Sequence, residues 1–242
     1  MKSKIKYIQS LSQKKLREEA GVFVAEGSKI VEEILQAPNV EAHEIFATTE
    51  WLQQNPYWKQ HLQQKLLEVT DDELKRISFL QTPNNVLGIF KHPVFVPGGV
   101  NKVSLMLDTI QDPGNLGTII RCADWFGVQQ IICSMECVDV FNPKVVQSTM
   151  GSICRVRVIY QDLVSFVGAH KTTPIYAATL QGKDISRQSP IQEGIILIGN
   201  ESKGIRPELL SMVNHQITIP RKGNAESLNA AVATGIILSY LC

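Results

Sequence analysis

The C-terminal stretch ITIPRKGNAESLNAAVATGIILSYL, residues 217–241, is the most informative part of this 242-residue sequence. It begins with β-branched residues typical of a strand, and a polar, basic loop follows Pro220. Ser227 then precedes an uncharged apolar run, and serine is a preferred helix N-cap because its hydroxyl accepts a hydrogen bond from a first-turn amide. A helix that is apolar on nearly every side is normally buried. We therefore predict a buried C-terminal helix capped by Ser227, with a ligand site in the loop before it.

The composition is that of a globular protein without a strong overall charge. Hydrophobic residues make up 44% and charged residues 19%, and 24 basic side chains accompany 23 acidic ones. This balance excludes a fold-wide field that attracts nucleic acid, so RNA binding must come from local patches. One basic patch near the N-terminus contains Lys2, Lys4, Lys6, Lys14, Lys15 and Arg17. It is either a solvated helix face or an RNA contact, and composition leaves both open.

Cysteine usage and the N-terminus indicate a cytoplasmic protein. The five cysteines are an odd number, and Cys133 and Cys137 have no second pair at zinc-site spacing. Reduced cysteines in the core of a cytosolic protein fit this pattern, and no metal is predicted. The sequence shows neither a signal-peptide pattern nor an apolar run of membrane-spanning length. We predict a soluble, cytoplasmic chain.

Alternating strand and helix patterns predict an α/β fold in two parts. The segment KHPVFVPGGVNK, residues 91–102, has two prolines and two adjacent glycines, which are typical of a linker. We place a smaller α/β domain at residues 1–95, the linker at 96–102 and a larger domain at 103–242. In the larger part, apolar strands separated by helices predict a parallel sheet that is covered on both faces.

Three polar loops of the larger domain each follow a predicted strand. They contain the sequences QDPGNLG, LIGNESKGIRP and PRKGNAESLN. Ligands of open parallel sheets bind beyond the carboxyl ends of the strands, which is where these loops lie. Simpler explanations exist for single residues: Asn115 and Ser227 can be plain helix caps, and Arg121 can pair with Asp124. Three such loops in one domain nevertheless favour a binding site.

Familiar phosphate-binding and hydrolase motifs do not explain these loops. Gly114 and Gly117 lack the G-x-G-x-x-G spacing, and Ile205 stands where a P-loop lysine would follow Gly204. The sequence also has no H-E-x-x-H zinc motif and no serine-hydrolase elbow. A dinucleotide-binding fold and an NTPase are therefore not supported.

Three segments resemble the motifs of the SpoU/TrmH class of SPOUT RNA 2′-O-ribose methyltransferases. They are NLGTIIRCADWFG at residues 115–127, IILIGNESKGI at 195–205 and ITIPRKGNAESLNAAVATGI at 217–236. The similarity covers residues 103–242, and the N-terminal part resembles the L30e-like substrate-binding domain of many ribosomal-RNA members. The resemblance implies a parallel sheet with a trefoil knot, S-adenosylmethionine as cofactor, a homodimer and a structured RNA substrate.

The resemblance also assigns roles to individual residues. The catalytic set that it implies is Asn115, Arg121, Glu201, Ser227 and Asn229. The cofactor-binding set that it implies, largely through backbone groups, is Thr179, Leu197, Gly199, Ile219 and Leu228. Because an arginine guanidinium stays protonated in proteins, we expect Arg121 to hold phosphate and stabilise the developing alkoxide. Ser202-Lys203 and Cys122 depart from the usual residues at their positions without removing a catalytic residue.

The expected reaction is methylation of a ribose 2′-hydroxyl in ribosomal RNA, which the N-terminal domain favours over transfer RNA. Transfer RNA, a base nitrogen as methyl acceptor and a catalytically silent RNA-binding module are the alternatives. The SLN sequence of the third motif favours ribose, and the intact catalytic set argues against loss of activity. Phosphate contacts, which depend on salt, are expected from Lys14, Lys15, Arg17, Lys203, Arg206 and Arg221.

Overall fold

A computed structural model describes residues 2–96 and 103–242 of the chain. Contacts divide it into two compact units, Met1–Phe95 with Phe141–Cys154 and Val96–Val140 with Arg155–Cys242. The predicted linker at 96–102 lies, except for Val96, outside the described residues, so the predicted domain limits stay a prediction. Within the described residues, no helix is both long and apolar enough to cross a membrane.

The first unit is a mixed α/β structure, as its sequence pattern predicts. Its elements within residues 2–91 are α1 (Lys2–Ser10), α2 (Lys14–Ala20), β1 (Val22–Glu26), α3 (Ser28–Leu35), β2 (Ala42–Ala47), α4 (Thr49–Gln54), α5 (Pro56–Leu62), β3 (Leu66–Glu68), α6 (Asp71–Ile77) and β4 (Val86–Lys91). The sheet has the order β1-β4-β2-β3, and only the β2–β3 pair is parallel. Phe141 stacks on His92 of this unit with ring centroids 3.9 Å apart.

Helix boundaries in the first unit follow from local hydrogen bonds. α6 begins with a capping box in which Thr70 Oγ1 accepts from Glu73 N at 3.2 Å and Glu73 accepts from Thr70 N at 3.1 Å. Thr70 is therefore the N-cap of α6.

The basic N-terminal segment forms two helices, α1 and α2. A turn separates α1 from α2. There the Arg17 guanidinium donates to the carbonyls of Leu11 and Ser12 at 2.7 and 2.8 Å. Arg17 is only 2% exposed, so it stabilises this turn and is removed from the predicted RNA contacts.

The second unit contains the parallel sheet that carries the predicted site. The elements from residue 103 onward are β5 (Val103–Leu107), α7 (Pro113–Trp125), β6 (Gln130–Cys133), α8 (Pro143–Thr149), β7 (Arg157–Tyr160), α9 (Leu163–Ala169), β8 (Ile175–Asp184), β9 (Gly194–Ile198), α10 (Pro207–Leu210), β10 (His215–Thr218) and α11 (Ala230–Leu241). Helix α8 lies in the segment grouped with the first unit. The sheet order is β10-β8-β9-β5-β6-β7, and every pair is parallel. The predicted α/β fold is confirmed, while the trefoil knot stays a prediction.

A register change between β8 and β10 opens the edge of this sheet. Gln216 pairs with Ala177, but the next residue, Ile217, pairs with Lys183. The five intervening residues of β8 therefore leave the regular ladder. Gly182 allows the two strands to close again, since a Cβ there would lie 2.4 Å from the Ile217 backbone.

The C-terminal helix begins later and is less buried than the sequence predicts. Asn229, not Ser227, is the N-cap of α11, and its Oδ1 accepts from Ala231 N and Val232 N at 3.0 and 3.2 Å. One side of α11 is buried and packs against α7. Val232 and Tyr240 on the other side of α11 are about half exposed. The prediction that this helix is completely buried is therefore wrong for a single chain.

Candidate functional site

A cavity of about 680 Å³ opens at the carboxyl ends of β9 and β10, next to residues 178–181 in the middle of β8. This size lies within the range of roughly 300–1,000 Å³ that small-molecule sites occupy. Eight residues predicted for the site line the cavity: Thr179, Gly199, Glu201, Lys203, Ile219, Arg221, Ser227 and Leu228. The sequence-based placement of a site at the carboxyl ends of these strands agrees with this geometry.

The loop after β9, residues 199–206, forms one wall of the cavity and is folded tightly on itself. Asn200 N donates to Gly204 O at 3.0 Å, and Gly204 N donates to Asn200 O at 2.9 Å. The Asn200 side chain accepts from the amides of Ser202 and Lys203 at 3.0 and 3.1 Å. A Cβ at Gly199 would lie 2.4 Å from the Gly204 backbone, so only glycine fits this crossing. We call residues 199–206 the β9 loop.

Three residues from the three motifs form one hydrogen-bonded chain beside the cavity. Asn115 Nδ2 donates to Glu201 Oε1, and Asn229 Nδ2 donates to Asn115 Oδ1 at 2.8 Å. Both ends of the Asn115 amide are thus occupied, which fixes its orientation. Asn115 is not the cap of its helix, because Asp112 accepts from Asn115 N at 2.8 Å and takes that position. We call Asn115, Glu201 and Asn229 the polar triad.

Arg121 is exposed on α7, and it forms neither an ion pair nor a hydrogen bond with any residue in the described parts of the chain. Asp124, its expected partner, instead pairs with Arg155 at 2.9 Å. Arg121 lies six positions after Asn115, so the two side chains leave α7 in directions about 120° apart. It lies four positions before Trp125, which places Arg121 and Trp125 on the same face. The structure therefore separates Arg121 from the polar triad within one chain.

A buried carboxylate that the sequence analysis missed anchors the β9 loop. Asp108, fully buried at the end of β5, accepts from Arg206 Nε at 2.8 Å and from Arg206 N at 2.9 Å. The Asp108 side chain also accepts from Thr109 Oγ1 at 3.1 Å. Arg206 therefore anchors the β9 loop, and its predicted RNA contact stays a prediction.

Thr109 adds a second attachment for the β9 loop. Its carbonyl accepts from Asn200 Nδ2 at 2.9 Å, and its amide donates to Ser134 Oγ at 3.0 Å. Its φ of 60° is unfavourable for a β-branched residue and persists only where neighbouring contacts determine it. The loop is thus fixed from both the β5 and the β6 ends of the sheet.

The surroundings of two cysteine thiols shift their pKa values in opposite directions. Burial raises the pKa of Cys122, an effect that the neighbouring Arg121 opposes. A hydrogen bond from Cys133 lowers the pKa of Cys137 to about 7, and the Ser134 hydroxyl contributes in the same direction. Cys137 is buried, and its sulfur accepts from Ile110 N at 3.2 Å, which indicates a structural role. Within the described residues, no group of three or more His, Cys, Asp or Glu side chains could hold a metal.

Other predicted residues lie away from the cavity. Leu197 belongs to the buried core of the sheet and does not line the cavity, so no side-chain contact with a ligand there supports its assignment. Lys14 and Lys15 are exposed in the first unit and pair with Glu18 and Glu19 at 3.6 and 3.8 Å. Lys4 pairs with Glu44, so acids offset part of the basic patch.

Comparisons with known proteins agree with this arrangement. The SpoU rRNA Methylase family matches residues 102–239, and the MRM3-like substrate binding domain matches residues 2–88. The 23S rRNA (guanosine(2553)-2′-O)-methyltransferase RlmP of Bacillus subtilis is 32% identical over 241 residues, which cover 98% of this chain and 95% of that protein.

Two solved structures cover nearly the whole chain. A putative RNA methyltransferase of the TrmH family from Porphyromonas gingivalis is 32% identical, has a TM-score of 0.84 and covers 98% of this chain and 95% of that chain. An AdoMet-bound rRNA methyltransferase from Sinorhizobium meliloti is 31% identical, also with a TM-score of 0.84. The match covers 98% of this chain and 92% of that chain. The chain therefore belongs to the SpoU rRNA methylase family.

Proposed function

We propose that this chain transfers the methyl group of S-adenosylmethionine to a ribose 2′-hydroxyl of ribosomal RNA. The observation that carries the proposal is the polar triad, which joins one residue from each of the three motifs at the rim of a ligand-sized cavity. The named activity of the Bacillus relative, on 23S ribosomal RNA, supports the same reaction and RNA class.

The cavity has the properties that S-adenosylmethionine requires. Apolar side chains such as Ile219 and Leu228 lie beside polar groups such as Thr179, which suits a molecule with an adenine ring and a polar amino-acid end. The loops contain no glycine-rich phosphate cradle, and this cofactor carries no phosphate. We propose that backbone groups at Gly199, Ile219 and Leu228 hold it. When bound, S-adenosylmethionine supplies an electrophilic methyl group.

In the transfer, the bond from sulfur to the methyl carbon breaks, S-adenosylhomocysteine leaves, and the hydroxyl proton passes to solvent water. The remaining task of the chain is to orient the ribose hydroxyl and favour the loss of this proton. A neutral hydroxyl is a weak nucleophile, so the site must align it and stabilise the charge that develops on its oxygen. We propose that Arg121 holds the adjacent phosphate and stabilises the alkoxide, while the polar triad and Ser227 orient the reacting groups. If Arg121→Lys kept most of its turnover with cofactor binding intact, the role given to Arg121 would be wrong.

We propose an isologous homodimer through the exposed side of α7 and α11. Trp125 is 85% exposed, and Val232, Ile236 and Tyr240 recur at four-residue spacing along α11 with partial exposure. Apolar stripes of this kind are typical of interfaces. Because Arg121 shares the face of Trp125, a dimer formed here would bring Arg121 to the interface and toward the site of the other protomer.

RNA contacts near the reaction centre are proposed for Lys203 and Arg221, which are exposed at the cavity. Lys14 and Lys15 remain proposed contacts in the first unit, which matches a substrate-binding domain. The cytoplasmic location predicted from the sequence is part of this proposal.

The substrate class can be tested with purified chain, S-adenosylmethionine and RNA from a strain that lacks the corresponding gene. We expect cofactor binding by calorimetry and methyl transfer to ribosomal RNA but not to transfer RNA. Transfer RNA as the preferred acceptor would refute the ribosomal assignment. Absence of cofactor binding would favour the catalytically silent RNA-binding module.

A further inference from the structure

The stretch WLQQNPYWKQHLQQKLL, residues 51–67, is unusual in composition. It has no acidic residue, although Glu50 and Glu68 flank it, and it combines aromatic, amide and basic side chains. This combination is typical of surfaces that bind single-stranded nucleic acid, since bases stack on aromatic rings and amides bond to base edges. None of the predicted site residues lies in this stretch.

Helix α5 presents a cluster of three rings in this stretch. The Tyr57 and His61 rings are stacked with centroids 3.9 Å apart, and the Trp58 ring meets Tyr57 edge-on at 4.9 Å. Tyr57 is nevertheless 59% exposed, and Trp58 is half-buried. A tyrosine left this exposed contributes little to the core, but its neighbours hold the ring in a fixed orientation.

A cavity of about 500 Å³ lies beside this cluster within the first unit. Trp58 and His61 form part of its wall, and Gln63, Gln64 and Lys65 form another part. Gln63 has a φ of 45°, a strained backbone conformation that is more common at binding sites than elsewhere. The wall therefore offers ring surface, two amides and a cation.

The charges at this cavity favour a polyanion. Lys65 and Lys91 both bind the carboxylate of Glu41, at 2.9 and 2.7 Å. Their hydrogen bonds lower the pKa of Glu41 to about 2. A glutamate is ionised at neutral pH even without this shift, so the cluster carries one negative and two positive charges. Lys59 on α5 adds a further exposed cation.

The hydrogen bond of His61 leaves one ring nitrogen for a ligand. Its Nδ1 lies 2.8 Å from the carbonyl of Tyr57 and therefore donates to it. In a neutral imidazole, Nε2 is then an acceptor, which suits an amino group on the edge of a base.

We propose that the α5 face (Tyr57, Trp58, His61, Gln63 and Lys65) binds an unpaired nucleobase of the RNA substrate. The inference rests on the proposed function, since it assigns a subsite for that RNA. The base stacks on the ring cluster, its edge bonds to the Gln63 amide and His61, and Lys65 and Lys59 contact neighbouring phosphates. This subsite lets the first unit select an RNA that has a splayed base.

Binding can be measured with the full chain and a fluorescent single-stranded oligoadenylate RNA at low salt. We expect Tyr57→Ala to weaken binding about 10-fold, in line with the loss of one base–aromatic stack. Tyr57→Phe keeps the ring and should bind within about twofold of the unchanged chain. RNA should also quench the fluorescence of the Trp58 indole, and Trp58→Phe should remove that quenching.

Two controls separate this subsite from charge effects and from misfolding. Lys75→Ala removes an exposed lysine from α6 of the same unit and should change affinity by less than about twofold. S-adenosylmethionine affinity and the midpoint of thermal unfolding should be unchanged in Tyr57→Ala.

Methylation assays distinguish the two proposals. Suppose that the unchanged chain methylates ribosomal RNA, and that the Tyr57→Ala variant has the same KM for RNA and the same Kd for the oligonucleotide as the unchanged chain. The proposal of the α5 subsite is then wrong, and the proposed function stands. If the unchanged chain methylates no RNA, the proposed function is wrong. Equal Kd values for Tyr57→Ala and Tyr57→Phe would also overturn the subsite, because stacking would then contribute nothing.

Discussion

At the scale of single residues, Asn115 has the most demanding position in the site. Its amide accepts from Asn229 and donates to Glu201, so it connects the first turn of α7 with the two other motif segments. This position needs a side chain that both donates and accepts a hydrogen bond. A carboxylate or an aliphatic residue cannot do both. The orientation of Glu201 therefore depends on Asn115.

We predict that Asn115→Ala lowers kcat about 100-fold, because small displacements of orienting groups have effects of that size. The Kd for S-adenosylmethionine should change little, since Asn115 does not line the cavity. Steady-state kinetics and calorimetry measure the two quantities. Thr118→Ala, which removes an exposed hydroxyl from the same helix, is the matched control. A cofactor-binding defect equal to the loss of kcat would contradict the orienting role.

Asp108 is a residue whose main effect should be on stability. Asp108→Ala removes the buried carboxylate and leaves the Arg206 guanidinium, 32% exposed, with only the exposed Glu208 at 3.9 Å. We expect the free energy of unfolding to fall by about 3 kcal/mol. Asp124→Ala breaks the more exposed pair with Arg155 and should lower the free energy of unfolding by less than about 1 kcal/mol. Urea unfolding of both variants gives the comparison. Equal losses would mean that burial of Asp108 has no energetic consequence.

At the scale of elements, the β9 loop depends on a backbone crossing that excludes side chains. In Gly199→Ala, the new Cβ would lie 2.4 Å from the Gly204 backbone, which forces the loop to shift. We predict at least a 10-fold weaker affinity for S-adenosylmethionine, because loop displacement disturbs its proposed backbone contacts. Calorimetric titration measures this.

A suitable control is Gly168→Ala in α9, where a Cβ meets nothing within 4 Å. It should leave affinity unchanged and stabilise the helix by up to about 1 kcal/mol. If Gly199→Ala bound the cofactor as tightly as Gly168→Ala, the proposed backbone site in the β9 loop would be untenable.

The sequence predicted the elements better than the contacts between them. Strand and helix patterns predicted the parallel sheet, and the loops that follow strands predicted the place of the cavity, because both depend on local periodicity. The prediction that Ser227 caps α11 was wrong because the sequence SLN contains two residues that can cap a helix. The register change at Ile217 and the burial of Arg17 and Asp108 were missed, since each depends on distant parts of the chain.

At the scale of the whole molecule, the exposed apolar side of α7 and α11 is central to the proposed dimer. We predict that Trp125→Glu shifts the chain from dimer to monomer, since a charge replaces an 85% exposed indole at the proposed interface. Sedimentation velocity measures the shift. Leu180→Glu replaces another largely exposed apolar residue outside α7 and α11 and should leave the assembly unchanged. A Trp125→Glu variant that sediments like the unchanged chain would argue against this interface.

The central claim is that this chain methylates ribose in ribosomal RNA, and nucleoside mass spectrometry tests it most directly. Ribosomal RNA from a strain without the gene is incubated with the chain and S-adenosylmethionine, then digested to nucleosides. We predict a 2′-O-methylated nucleoside that does not form when the chain is omitted and is strongly reduced with Asn115→Ala. A methyl group on a base nitrogen, or no methylation by a chain that binds the cofactor, would contradict the claim.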